Sequence, residues 1–171
     1  DCEGVCAFHN ADIWRKTSPA FGKAMWNFWP FGFAWLCRNL YEGYLFSQDK
    51  EYLQRIMPIL RENVRFCIHT VSRTEEGYAF LPATSPENEF MSQGEKASVA
   101  FYSENGNAII RNLLRDYLEC CERLQLTDEQ EERIREIYEK MVPVKVGSRG
   151  QSLEWNEELA EADEHHRHLS H

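Results

Sequence analysis

The chain has 171 residues, enough for one domain, since a chain of this length buries ~70% of the surface that its unfolded form exposes. Its formal net charge of −9, from 28 acidic against 19 basic side chains, opposes a phosphate backbone and argues against nucleic acid as a partner. Apolar runs stay far below the ~20 residues of a membrane span, and no basic and then apolar leader opens the sequence, so a soluble chain is expected. The aromatic share of 13%, with five Trp, seven Tyr and ten Phe, is high enough to suggest that flat rings serve a purpose here.

Pro30 suits the first turn of a helix, where a missing N–H costs nothing. After it, Phe33, Leu36, Cys37, Leu40, Tyr41 and Tyr44 recur at spacings of three and four, which predicts an amphipathic helix ending near Ser47. Asp49 is a good N-cap for a second helix carrying Leu53, Ile56, Leu60, Val64, Cys67, Ile68 and Val71, which Pro58 is expected to kink or to start late. Over residues 72–106 the helical period gives way to Gly77, Pro82, Pro86, Gly94 and Gly106 with scattered aromatics. This reads as a long loop, and loops of that length usually carry function.

Ala108, Ile109, Leu113, Tyr117, Cys121 and Leu124 predict a third helix. Ile134, Ile137, Tyr138 and Met141 predict a fourth over 128–142, opened by a Thr127–Gln130 capping box and stopped by Pro143. Residues 144–155 alternate around Gly147 and Gly150 as a short hairpin would, and the acidic run 157–164 reads as a solvated face. The fold class is all-α, and the wide apolar faces suit helical hairpins in two layers. Periodicity does not separate a small bundle from part of a larger helical barrel.

The six cysteines, Cys2, Cys6, Cys37, Cys67, Cys120 and Cys121, fit free buried thiols better than three bridges, because Cys37 and Cys67 lie in helical patterns and Cys120 adjoins Cys121. An oxidised Cys2–Cys6 pair stays open, as does the compartment.

The loop contains Pro82-Ala83-Thr84-Ser85-Pro86-Glu87-Asn88, which closely resembles the Pro-Ser-x-Ser-Pro-Glu-Asn motif of glycoside hydrolase family 95, the α-L-fucosidases and their relatives. Phe8-His9-Asn10-Ala11-Asp12-Ile13-Trp14 is similar to the family's His-His-Asn-Thr-Asp-Ile-Trp, and Trp29-Pro30-Phe31-Gly32 with Ala34-Trp35-Leu36 to its Trp-Pro-Met-Gly segment. Residues 147–155 and Arg167-His168-Leu169-Ser170-His171 match in the same order. The resemblance implies part of an (α/α)6-barrel catalytic domain across 1–171 and hydrolysis with inversion at the anomeric carbon. Its substrate would be a fucosylated oligosaccharide or glycan. The family's upstream Asn-x-Asn and downstream Asp, which activate the attacking water, have no counterpart here, so this chain alone is expected to lack activity.

By pattern, Ser85-Pro86-Glu87 starts a turn; by resemblance, Glu87 is the general acid. Asn10 and Asp12 by pattern form a turn and a helix cap, while the resemblance makes His9, Asn10, Asp12 and Asn88 contacts to sugar hydroxyls. Trp26 and Trp29 precede a helix and are candidates for a sugar-facing ring, whereas Trp35 falls in the apolar register and is expected to be structural. His165, His166, His168 and His171 suggest a metal, but no thiolate or His-Glu-x-x-His frame accompanies them. The resemblance assigns Arg167 and His168 to sugar, and neither metal nor cofactor is expected. Phe8 for His and Asn27-Phe28 for Gly-Leu leave substrate identity open, with an α-L-galactosidase as the near alternative. A non-catalytic helical module derived from such a barrel is the alternative from another class. Self-association is expected through Phe33, Leu36 and Leu40 if the flanking barrel is missing.

Overall fold

A computed structural model describes residues 2–8, 14 and 21–163 of the chain. A short helix α1 (Ala24–Asn27) leads into α2 (Gly32–Ser47), which ends where Gln48 turns left-handed, at φ 53°, and returns its N–H to the Tyr44 carbonyl at 2.7 Å. The Asp49 carboxylate then accepts from the N–H groups of Glu51 (2.8 Å) and Tyr52 (3.2 Å), opening α3 (Lys50–Thr70). A two-residue joint of this kind folds α2 and α3 back on each other as a helical hairpin.

Pro58 lies inside α3 and does not delay its start. An interior proline costs ~3 kcal/mol. Buried Leu53, Ile56, Leu60 and Val64 on the same helix each return ~1.5–3 kcal/mol, and the Asp49 cap adds to them, so the helix runs through.

The predicted loop at 72–106 is not without secondary structure. It holds β1 (Ser72–Arg73) paired antiparallel with β2 (Tyr78–Ala79), then β3 (Phe90–Ser92) paired antiparallel with β4 (Glu95–Ala97). The β3–β4 turn is Gln93-Gly94 with φ 52° and 85°, both left-handed as a two-residue hairpin turn requires. The fold is therefore mostly helical with small sheets rather than purely α, and strands of two or three residues are too short for period-two patterning to reveal.

Helix α4 (Glu104–Leu124) starts earlier than the apolar period suggests. Ser103 caps it by accepting from the Gly106 N–H at 3.3 Å, and Gly106 is needed there because a Cβ would meet the Phe31 ring at 2.6 Å. Helices α2, α3 and α4 pack against one another. Tyr41, Leu53, Leu60, Ile110, Leu114 and Tyr117 are buried between them, together with Cys37, Cys67, Cys120 and Cys121. Burial raises the thiol pKa of Cys37 to about 12 and of Cys120 to about 12, which keeps both in the neutral form suited to a core.

The fourth predicted helix is shorter, α5 (Glu131–Glu139), and the Thr127–Gln130 capping box does not form; Gln130 makes no side-chain cap. Asp128 takes the role, accepting the Gln130 N–H at 2.8 Å. Its second carboxylate oxygen receives the buried Tyr117 hydroxyl and lies 3.3 Å from Arg61. Burial favours the neutral acid at Asp128, but Tyr117, the Gln130 amide and Arg61 outweigh it and hold this carboxyl below its ordinary range.

The hairpin expected at 144–155 forms around an antiparallel bridge between Val146 and Ser152, with the Gly147 N–H donated to Gln151. The acidic run is not wholly a solvated face. Ala160–Glu161 forms β5 and pairs with β3, and the Glu158 carboxylate receives the Ser148 hydroxyl (2.8 Å) and N–H. Among the described residues, no helix is long and apolar enough to cross a membrane.

Phe33 and Leu40, expected to be exposed, pack against the core. Trp35 (58%), Leu36 (56%), Leu45 (36%) and Phe46 (92%) are the large apolar side chains that α2 turns outward. A polypeptide limited to residues 1–171 should therefore associate through this face at high micromolar concentration. Sedimentation of a single monomeric species there would count against it.

Candidate active site

The motif segment is held at both ends before its acid is reached. Ala83 exchanges two backbone hydrogen bonds with Ala100, at 3.1 and 2.9 Å, and the Thr84 hydroxyl donates to the Phe28 carbonyl at 2.6 Å. Thr84 and Ser85 are buried, and the chain then turns, with the Asn88 N–H reaching the Ser85 carbonyl at 3.4 Å. Glu87 stands at the apex with φ 56°, a left-handed conformation that costs a non-glycine residue ~1–3 kcal/mol. Such strain persists only where the surroundings over-determine it, and it collects at functional positions.

The surroundings here are specific. The Glu87 N–H points to the Met25 carbonyl in α1 at 3.4 Å. Asn88 is 1% exposed, and its side-chain amide donates to Glu154 Oε2 at 2.7 Å while its Oδ1 accepts the Glu89 N–H at 2.8 Å. Lys23 Nζ pairs with Glu89 at 2.8 Å, a second tie between the turn and the approach to α1. Glu87 itself is half-buried. A carboxyl group in such a position can give up a proton to a bound oxygen while partly shielded from water.

Trp26 adjoins Met25 in α1 and is 40% exposed, so an indole is available one residue from the carbonyl that faces the Glu87 amide. Trp29, expected beside it, belongs instead to the core at 3% exposure, in edge contact with the rings of Phe31 (5.8 Å) and Trp35 (6.1 Å). Trp35, expected to be structural, presents most of its ring outward. Asn88, expected to hold a sugar hydroxyl, has both ends of its amide engaged by the protein and acts as an anchor. His9, Asn10, Asp12, Arg167 and His168 lie outside the described residues.

Glu104 is another partly buried carboxylate in this part of the fold. Burial raises its pKa and outweighs the opposing pull of Arg111 at 3.5 Å, so the carboxyl stays above its ordinary range while paired to that guanidinium. Glu154, which the residue-by-residue reading passes over, gives no local signal because its partner Asn88 is 66 residues away.

A scan against family models matches all of residues 1–171 to the glycosyl hydrolase family 95 catalytic domain. The chain belongs to this family. It is also 35% identical over 172 residues to Alpha-L-fucosidase 2 of Arabidopsis thaliana, an alignment that covers 98% of this chain and 20% of that protein. The chain thus spans about a fifth of the length of its plant relative, within the catalytic domain. A mostly helical architecture with small sheets agrees with a portion of a family 95 barrel.

Proposed function

We propose that this region supplies the acid side of the active site of an inverting, exo-acting α-L-fucosidase that removes terminal, α-1,2-linked L-fucose from oligosaccharides or glycans. The observation that carries the reading is Glu87, a half-buried carboxyl at the apex of a strained turn pinned through Thr84 and Asn88. Inversion needs an acid and a base ~6.5–9.5 Å apart with a water between the base and the sugar. Glu87 gives its proton to the glycosidic oxygen as the bond to the anomeric carbon breaks. Water adds from the opposite face and loses its proton to the base. That base belongs to the Asn-x-Asn and Asp segments that the family carries elsewhere.

Trp26 offers an apolar face suited to the C6 methyl of fucose, which favours fucose over galactose, whose C6 hydroxyl would lose hydration there. His9, Asn10, Asp12, Arg167 and His168 hold the ring hydroxyls in this scheme, and no cofactor enters it.

The test is stereochemical. The full-length polypeptide carrying this region, given a 2′-fucosylated oligosaccharide, should release β-L-fucose first, as read by NMR before mutarotation. First release of the α anomer would overturn inversion, and preferential cleavage of the matching α-L-galactoside would replace fucose as the substrate.

A further inference from the structure

Resting on the assignment of Glu87 as general acid, we infer that Glu154 is a positioning residue for that acid, acting through Asn88 from a segment braced against the start of α4. Beside the Thr84–Phe28 bond and the Glu89 N–H to Asn88 Oδ1 bond, four contacts next to Glu87 differ in strength. The two backbone bonds, Glu87 N–H to Met25 and Asn88 N–H to Ser85, are both long at 3.4 Å. The Lys23–Glu89 pair joins a Glu89 side chain that is 15% exposed to a flexible lysine that is 54% exposed, which limits what it contributes. The bond from Asn88 Nδ2 to Glu154 Oε2 is short at 2.7 Å, charge-assisted, and made by a side chain that is 1% exposed. It is the strong restraint that follows Glu87, as the Thr84–Phe28 bond is the strong restraint that precedes it.

Glu154 can hold this position because its own backbone is braced. Its carbonyl accepts the Glu104 N–H at 3.0 Å, in the first turn of α4, and Trp155 forms an antiparallel bridge with Ser103, the cap of that helix. The Trp155 ring is buried against Phe90 at 4.9 Å, and Phe90 opens β3 just after the turn. The end of a long helix, the 153–156 segment and the catalytic turn are thereby linked in series. If the Glu154 carboxylate is removed, the Asn88 amide loses its acceptor and the left-handed Glu87 loses a short restraint on its position. A shift of ~1 Å in a reacting group is enough to lower a rate by ~10²-fold.

The experiment uses the full-length polypeptide. Glu154→Ala should lower kcat on a 2′-fucosylated oligosaccharide by ~10–100-fold with little change in KM, while α-L-fucosyl fluoride, whose leaving group needs little protonation, falls less than about threefold. Glu154→Gln keeps an oxygen that accepts from Asn88 and should restore the natural substrate to within about threefold of the parent. If Glu154→Ala does not fold, Glu154→Asp, which withdraws the acceptor by one methylene, carries the same comparison. Equal loss on both substrates, no loss on either, or a Gln variant as impaired as the Ala variant would each overturn the role. Glu87→Gln run in parallel separates the two ideas. A selective loss in Glu87→Gln without one in Glu154→Ala rejects the positioning role, and no selective loss in Glu87→Gln rejects the general acid and with it this inference.

Discussion

Glu87→Gln in the full-length polypeptide should lower hydrolysis of natural α-L-fucosides by ~10²–10⁴-fold and that of α-L-fucosyl fluoride far less. The substitution keeps the reach and hydrogen-bonding shape of the side chain and removes only its transferable proton, so substrate binding should largely survive. The bond to a sugar leaving group breaks slowly unless its oxygen is protonated. Fluoride departs without that help, so the ratio of the two losses isolates the acid role from any general damage to the pocket. Equal large losses on both substrates would remove Glu87 as the general acid. No loss on either would make the 82–88 turn structural, with its left-handed φ serving the fold rather than the chemistry.

The motif around Glu87 is legible in the sequence, but the left-handed backbone of that residue is not. No local pattern marks Glu87 for φ 56°, because the contacts that hold it there come from Phe28, Met25 and Glu154, which are distant in sequence. The same division runs through the fold. Helices α2, α3 and α4 follow from apolar spacing and Asp49 from local capping chemistry, all within a few residues of one another. Asp128 displaces the Thr127–Gln130 cap because a buried hydroxyl eleven residues earlier, on Tyr117, needs an acceptor. Strand β5 emerges from an acidic run because β3, some 70 residues before it, offers a free edge. Trp29 and Trp35 exchange their expected exposures because Phe31 and Trp35 close over Trp29, a matter of three-dimensional neighbours and not of helical register. The helices and the Asp49 cap follow from local physics, whereas the conformation at Glu87, the Asp128 cap and β5 are decided by contacts between segments.

A polypeptide limited to residues 1–171 should release no measurable L-fucose from a 2′-fucosylated oligosaccharide, even though it contains Glu87. In an inverting hydrolysis the acid and the water-activating base act in one transition state, so loss of the base forfeits its own ~10²–10⁴-fold and also the placement of water that makes the attack effectively unimolecular. The four longer helices bury a core of their own, so the polypeptide should still give helical circular dichroism, which separates an inactive folded chain from an unfolded one. Robust release of fucose by this folded polypeptide would mean that the base lies among its own residues. The carboxylates to substitute next would then be Asp12 and the acids of 157–164, whose loss should slow the fluoride and the natural substrate alike.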